Sequence, residues 1–461
     1  MENNLTSLAK EYGTPLYVYD GDVIVNKYQS FKNAFDVKNL KIHFAAKALT
    51  NLSILKLFKE LGSGLDCVSI QEIHMGLKAG FAPEDIIFTP NGVSIEEYEE
   101  AINIGTKITI DNISILEKIG LKFPDTPIFI RVNPHLMAGG NNNISVGHID
   151  SKFGISIHQI PIVLRLTKKY NIKVEGIHVH TGSDIVEADI FERVGQLIFS
   201  IADQFEDITS IDFGSGFKIK YKENDLQTDI EKIGAQFSKL FNQYCEKRQK
   251  DLTLRFEPGK FMVSESGSFL TDVNVIKQTT ACTFVAVNSG FNHLIRPMFY
   301  NSYHEIKNIS NPDGEKKMYS VVGYICESDT FATDRILNEV REKDILLFEN
   351  AGAYCYSMAS NYNSRFKPAE VLTLKGESYL IRERETLDDL LKNQKVLDVE
   401  NILDEKKVTK AEQTKKHSHE CFFLFPFNGC RWLRTNVINN SVYPLNLIDD
   451  FVRNFSKELI R

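Results

Sequence analysis

The feature that most constrains this chain is a rhythm: from residue 41 to about 260, short β-rich runs alternate with stretches of helical periodicity. Strands are expected at 42–46, 65–68, 85–89, 106–110, 127–132, 174–179, 208–212 and 253–257. Between them apolar residues recur at three- and four-residue steps, as in Leu226, Ile230, Ile233, Phe237, Leu240, Phe241 and Tyr244, which places them on one helical face. Ser69 with Glu72 and Ser94 with Glu97 have the spacing of capping boxes, each able to satisfy two free N–H groups at a helix start. Eight βα units in succession predict an α/β fold built on a (β/α)8 TIM-type barrel, in which the strand C-terminal ends and the loops after them form the active face.

The rhythm changes after about residue 262. Segments 268–278, 282–288, 318–325, 344–348 and 369–383 read as strands without long helices between them, which predicts a second, all-β domain. The stretch TPLYVYD at 14–20 reads as a further strand before the barrel. The expected division is therefore 1–27 as an N-terminal strand joining the β domain, 28–262 as the barrel, 263–393 as the C-terminal β domain, and 394–461 as a polar linker and an unassigned C-terminal extension.

Composition narrows the partners. A formal charge of −7 gives no basic field to gather nucleic acid or an anionic membrane surface, so the expected partner is a small molecule. No run reaches the roughly 18–20 apolar residues that cross a bilayer, the N-terminus lacks the basic-then-apolar order of a signal peptide, and the 7 cysteines follow no framework spacing. A reduced, cytoplasmic setting is expected, with no membrane partner.

Four stretches carry chemistry. Lys47 closes the first barrel strand; desolvation there would lower its pKa and free a neutral amine to attack a carbonyl, whereas a plain strand-end lysine would only reach for water. DFGSGFKIKY at 212–221 follows the seventh strand, and Gly214 and Gly216 let backbone N–H groups approach an anion where barrels often hold phosphate. GIHVHTGSDI at 176–185 presents His178 and His180 on one side of the sixth strand, either able to stack on a flat ring or simply to pack, with Ser183 as a phosphate donor beyond. No third ligand accompanies the two histidines, so no metal is expected. Glu257, in LRFEPGKFMV at 254–263, is costly to bury unless it meets a cation or a protonated ring nitrogen; otherwise it caps the turn. An amine, a ring-stacking group, a phosphate loop and an acid for a ring nitrogen together describe pyridoxal 5′-phosphate, whose ring is an electron sink for carbanions.

Over roughly residues 8–393 the sequence resembles the fold-type III pyridoxal-phosphate decarboxylases, and among them the branch that acts on meso-2,6-diaminopimelate. The stretches that carry the resemblance, in order, are FAAKALTN, SKFGI (151–155), HVHTGSDI, DFGSGF, EPGK, LIRPMFY (294–300), CESDTF (326–331) and GAYCYSMASNYNSR (352–365). The resemblance implies that Lys47 holds the cofactor covalently, that His180 stacks on its ring, and that Ser183, Gly214, Gly216 and Gly259 serve the phosphate. It implies that Glu257 pairs with the ring nitrogen, that Arg296 and Tyr300 bind a substrate carboxylate, that Glu327 meets the distal ammonium, and that Tyr354 touches cofactor or substrate. Cys326 would assist protonation after CO2 leaves. In this family CES reaches into the partner subunit's site, so a homodimer with active sites at the interface is expected. The expected reaction yields L-lysine; a decarboxylase of ornithine, arginine or a carboxylated polyamine is the nearest alternative, and a catalytically silent regulatory paralogue another.

Two departures stand out. Where the family has arginine after EPG this chain has Lys260, a point charge that keeps phosphate or carboxylate binding without the bidentate fork. The family's three-glycine loop carries Ser215 in the middle. Beyond residue 393 the resemblance ends; His417, His419, Cys421 and Cys430 are zinc-ligand types, but their spacing does not match the zinc patterns.

Overall fold

The computed structural model describes residues 2–135, 151–180, 182, 188–404, 435–438 and 441–444. The chain divides into two compact units, Met1–Asn393 and Gln394–Arg461.

Within the first unit, eight parallel strands close on themselves: β2 Leu40–Ala45, β3 Gly64–Cys67, β4 Ile86–Phe88, β5 Lys107–Ile110, β6 Ile128–Asn133, β8 Val174–Val179, β9 Ser210–Asp212 and β10 Thr253–Phe256. β10 pairs with β2, and β5 with β6, which completes the ring. A two-residue strand, β7 (Ile155–Ser156), extends the sheet beside β6 and was not foreseen. All eight expected barrel strands are present, because short runs rich in apolar and β-branched residues mark strands buried on both faces.

The barrel interior is filled. On β2, Phe44 points outward and stacks on Phe58 of helix Leu52–Glu60 with centroids 3.8 Å apart, while His43 fills the interior and meets Arg255 of β10 at 3.2 Å. Arg255 also donates to Ser210 at 3.1 Å. Glycine at 64 and 176 makes room: a Cβ would fall 2.4 Å from the His43 ring at one and 2.2 Å from the Phe129 ring at the other. A larger side chain at either place would displace an interior layer.

Helix Ile230–Arg248 buries Ile230, Ile233, Phe237, Phe241 and Tyr244, and Asp229 caps it by accepting from the Lys232 N–H at 3.0 Å. Leu226, expected on that face, precedes the helix and is exposed, because the cap at Asp229 starts the helix after it. The capping boxes are also corrected. Ser69 accepts from the Glu72 N–H, but Glu72 reaches back one residue further, to the Val68 N–H at 2.8 Å. At Ser94 the cap bond does not form.

A second, nine-stranded sheet follows the order β15-β14-β12-β11-β1-β17-β18, with β16 joining β11 to β13. Its strands are β1 Leu16–Asp20, β11 Gly267–Gln278, β12 Thr283–Val287, β13 Ile306–Asn308, β14 Lys316–Val322, β15 Thr330–Asn338, β16 Ile345–Phe348, β17 Ala369–Leu374 and β18 Glu377–Arg382. β1 lies between β11, antiparallel, and β17, parallel, as the expected joining strand. The expected single strand 369–383 is a hairpin: Lys375 (φ 53°) and Gly376 (φ 86°) make the two-residue turn with both centres left-handed. β13 and β15 were missed; β13 is only three residues long, and β15 is interrupted at its centre by Thr333, Asp334 and Arg335.

In the second unit, Thr435–Ile438 and Ser441–Pro444 form an antiparallel hairpin. His417, His419, Cys421 and Cys430 lie outside the described residues, as does Ser183. Among the described residues no helix is long and apolar enough to cross a membrane.

Candidate active site

The C-terminal end of the barrel gathers charged side chains from the strands and from the residues just after them. Lys47 lies in a single 3-10 turn, Ala46–Ala48, directly after β2. Its side chain is 41% exposed toward this mouth, while Asp66, on β3, is fully buried; Nζ and Oδ2 are 3.2 Å apart. Asp66 also accepts from the Thr89 hydroxyl. The lowered pKa expected for Lys47 is corrected. Burial does pull it down, but Asp66 first, then Tyr354, Glu257 and Glu72, outweigh burial and hold it above the ordinary lysine value. The strand can end on an ammonium because a buried carboxylate answers it.

Across the barrel, His178 of β8 faces Glu257, the residue after β10. His178 Nε2 lies 3.0 Å from Glu257 Oε2, and both side chains are buried. Asp212, at the end of β9, completes a cluster in which one nitrogen or carboxylate oxygen from each residue lies within 4.8 Å of the other two. Burial dominates all three: it lowers His178 to about 4, raises Asp212 to about 7, and raises Glu257 well above the carboxylate range, with Asp66 adding to the last. Glu257 Oε1 is buried without a hydrogen-bond partner among the described residues. A buried acceptor of this kind is costly unless something meets it.

His180 stands above this cluster. The Ser215 N–H donates to its Nδ1 at 3.1 Å, so the ring proton resides on Nε2, and burial holds the imidazole neutral. The glycine loop makes this possible. Gly214 has φ 58°, and a Cβ there would stand 2.7 Å from His180 Nδ1; Gly216 has φ 135°. Residue 215, serine here where the family has glycine, orients the expected stacking histidine through its backbone N–H, a contact that glycine would make equally.

Two cavities share Lys47, His180 and Glu257 in their walls. The larger, of about 330 Å³, adds Val68, Thr89, Asn91, Arg131, Phe153 and His178. The smaller, of about 70 Å³, is lined by Gly182, Ser215, Gly216, Gly259, Lys260 and Tyr354. This is the division a flat ring with a phosphate arm requires: a ring-sized space between His180 and an unmet acid, and a glycine-rich pocket with a cation at the end. Roomier clefts of about 450 and 370 Å³ lie elsewhere, walled by residues such as Lys218 and Asp229 or Lys38 and Asp251. Neither is lined by a candidate catalytic, cofactor-binding or substrate-binding residue, so chemistry rather than size selects the barrel mouth.

Tyr354 reaches the mouth from the second sheet. Its backbone is left-handed (φ 57°), and its N–H donates to Ala48 O at 2.9 Å, one residue beyond Lys47. A non-glycine residue held in that region stores strain of the kind that accumulates at working sites. Arg296 is buried at the start of helix Arg296–Tyr300; its Nη2 donates to the Tyr221 hydroxyl at 2.9 Å and to Ser302 at 3.3 Å. Arg296 and Tyr300 both act electrostatically on Tyr354. Cys326 and Glu327, in contrast, are exposed and line neither cavity: the Cys326 N–H donates to Asn363 at 3.1 Å, and Glu327 accepts from Tyr362 at 2.9 Å.

Sequence reasoning missed Asp66, Thr89, Arg131, Asp212 and Tyr221. A signal was available for three of them. Asp66, Arg131 and Asp212 are charged residues within strands otherwise buried on both faces, where a charge survives only with a partner. Arg131 stacks over Phe153, the aromatic of SKFGI, at 4.8 Å.

The comparisons agree with this geometry. Residues 22–264 match the family described as "Pyridoxal-dependent decarboxylase, pyridoxal binding domain". A diaminopimelate decarboxylase of Methanothermobacter thermautotrophicus is 38% identical over 400 residues, covering 84% of this chain and 93% of that protein. One from Campylobacter jejuni is 35% identical over 401 residues, covering 83% and 96%. The crystal structure of the Helicobacter pylori diaminopimelate decarboxylase complexed with L-lysine aligns with a TM-score of 0.78 at 34% identity, over 84% of this chain and 98% of that one.

Proposed function

The chain belongs to the diaminopimelate decarboxylase family of pyridoxal-dependent enzymes, and from that premise we infer that it converts meso-2,6-diaminopimelate to L-lysine and CO2, the closing step of lysine biosynthesis, with pyridoxal 5′-phosphate as cofactor. When bound, the cofactor supplies the electron sink that takes up the pair left as CO2 departs.

The chain's own residues then divide the work. Lys47 would anchor the cofactor covalently, and Asp66 beside it holds the amine in position and would take up the proton that the amine sheds. His180, neutral and oriented by Ser215, covers one face of the ring. Glu257 would pair with the ring nitrogen through Oε1; that unpartnered buried oxygen is the observation that carries the reading. Gly214, Gly216, Gly259, Lys260 and Ser183 serve the phosphate, with Lys260 contributing charge without a fork. Arg296, Tyr300, Lys260 and Tyr354 form the substrate side, where a guanidinium answers the substrate's second carboxylate; a diamine-forming enzyme has no use for that cation. Cys326 Sγ delivers a proton to the α-carbon after CO2 has left, and Glu327 receives the distal ammonium.

The exposure of Cys326 and Glu327 outside both cavities supports a homodimer in which each chain lends them to its partner's site. The pairing of β1 with β11 and β17 supports a division into a cofactor-binding barrel, 28–262, and a second domain of 1–27 with 263–393. Free thiols at Cys67, Cys245, Cys282, Cys326 and Cys355 fit a cytoplasmic enzyme.

The deciding experiment offers diaminopimelate, ornithine and arginine in parallel to the purified enzyme and counts CO2. Diaminopimelate is expected to be turned over at least about 100-fold faster by kcat/KM, since a substrate without the second carboxylate forfeits its charge-assisted contact with Arg296. Preference for ornithine or arginine would overturn the assignment.

A further inference from the structure

We propose that His178 is a positioning residue for Glu257: its Nε2–H donates to one carboxylate oxygen and thereby aims the other at the ring nitrogen of the cofactor. The inference rests on the reading of Glu257 given above and deepens it.

Strand register explains how the two residues meet. His178 of β8 is in register with Asp212 of β9, and Asp212 with Arg255 of β10. Glu257 follows Arg255 by two residues, and the two-residue strand period turns both toward the barrel interior. The Glu257 N–H donates to Gly214 O at 2.5 Å, which ties the acid's loop to the glycine loop. One carboxylate oxygen is thus occupied, by His178 at 3.0 Å, and one is not.

A packing role does not account for His178. An apolar side chain would fill this 1% exposed position without the cost of burying an imidazole, whose Nδ1 has no partner among the described residues. Burial keeps the ring neutral, so it carries a single proton. Where Oε1 shares a proton with the ring nitrogen, Oε2 is left as an acceptor, and the His178 proton is directed to it. A carboxylate just before Pro258 and Gly259 has otherwise only its own rotamer preference to hold it, and an outer partner of this kind fixes the orientation of the group that does the binding.

The test uses the holoenzyme of four variants: His178→Leu, His178→Gln, Glu257→Gln and the Leu/Gln double variant. His178→Leu is expected to lower kcat about 10- to 100-fold, the range typical of outer partners, with KM for diaminopimelate within about 2-fold, and to shift the absorption band of the bound cofactor. The amide of His178→Gln can still donate to Oε2, so kcat should return to within about 3-fold of wild type with the original band. The double variant should be no slower than Glu257→Gln alone, because the histidine acts only through the acid. If His178→Leu does not fold, His178→Asn, polar but too short to reach Oε2, takes its place. Wild-type kcat and band in His178→Leu would overturn the proposal, as would a His178→Gln enzyme as slow as His178→Leu. Glu257→Gln separates the two levels: an impaired Glu257→Gln beside an unimpaired His178→Leu sinks only the positioning role, whereas an unimpaired Glu257→Gln sinks the ring-nitrogen reading with it.

Discussion

The barrel mouth and the Cys326–Glu327 loop are both assigned to one reaction, yet they are built in opposite ways. At the mouth, Lys47, Asp66, His178 and Glu257 converge from four different strands or the residues just after them, are mostly buried, and hold one another at 3.0–3.2 Å. The loop is exposed, its contacts are local, to Asn363 and Tyr362, and it touches neither cavity. On the proposed reading, one chain gathers the cofactor half of the site in its own barrel and carries part of the substrate half on a surface. A rigid closed sheet can bury charges by pairing them with one another, whereas a loop proposed to serve a second chain's site keeps its side chains at the surface of its own.

The largest effect is expected from breaking the mouth. Lys47→Ala removes the covalent anchor, and decarboxylation should fall by at least about 1,000-fold, with loss of the cofactor's absorption in the purified protein; retention of that band would exclude Lys47 as the anchor. The loop is next. Cys326→Ala should slow turnover by about 100-fold, the low end of what a positioned proton donor contributes. Mixing it with Lys47→Ala under conditions that exchange subunits should restore activity to about a quarter of the wild-type level, since half the dimers would carry one intact site. No recovery would show that each chain works with its own Cys326.

Smaller effects sharpen the contrast on the substrate side. Arg296→Lys keeps the charge and loses the fork; KM for diaminopimelate should rise about 10-fold while kcat changes less, and an unchanged KM would move the carboxylate contact elsewhere. The smallest expected effect is on stability. His304, buried near Arg296, has its pKa lowered to about 3 by burial and by that guanidinium. A depressed histidine pKa means that the unfolded chain takes up a proton first, so this contribution is full above about pH 6.5 and is lost as pH falls toward 3. Thermal unfolding of His304→Gln should therefore lose less stability over that window than wild type, and parallel curves would remove His304 from the account.

The legible parts of this protein were those where one local rule decides. Period-two runs separated by period-3.6 runs located all eight barrel strands, and glycine pairs, EPG and the histidine doublet located the mouth. What escaped depended on neighbours distant in sequence. Ser94 has the spacing of a capping box, yet the bond does not form. Tyr221 gained a role only when the fold brought it to Arg296, 75 residues away in sequence.

The sequence by itself determined the eightfold alternation, the second sheet and the residue types a phosphorylated ring demands, because periodicity and residue chemistry are properties of the chain. Only the tertiary structure decided the charge states and pairings. Lys47 was expected to be a desolvated, low-pKa amine and is instead held above its ordinary value, because Asp66, 19 residues on, meets it at 3.2 Å on the neighbouring strand. A pKa depends on what surrounds a group, and register between strands places those surroundings.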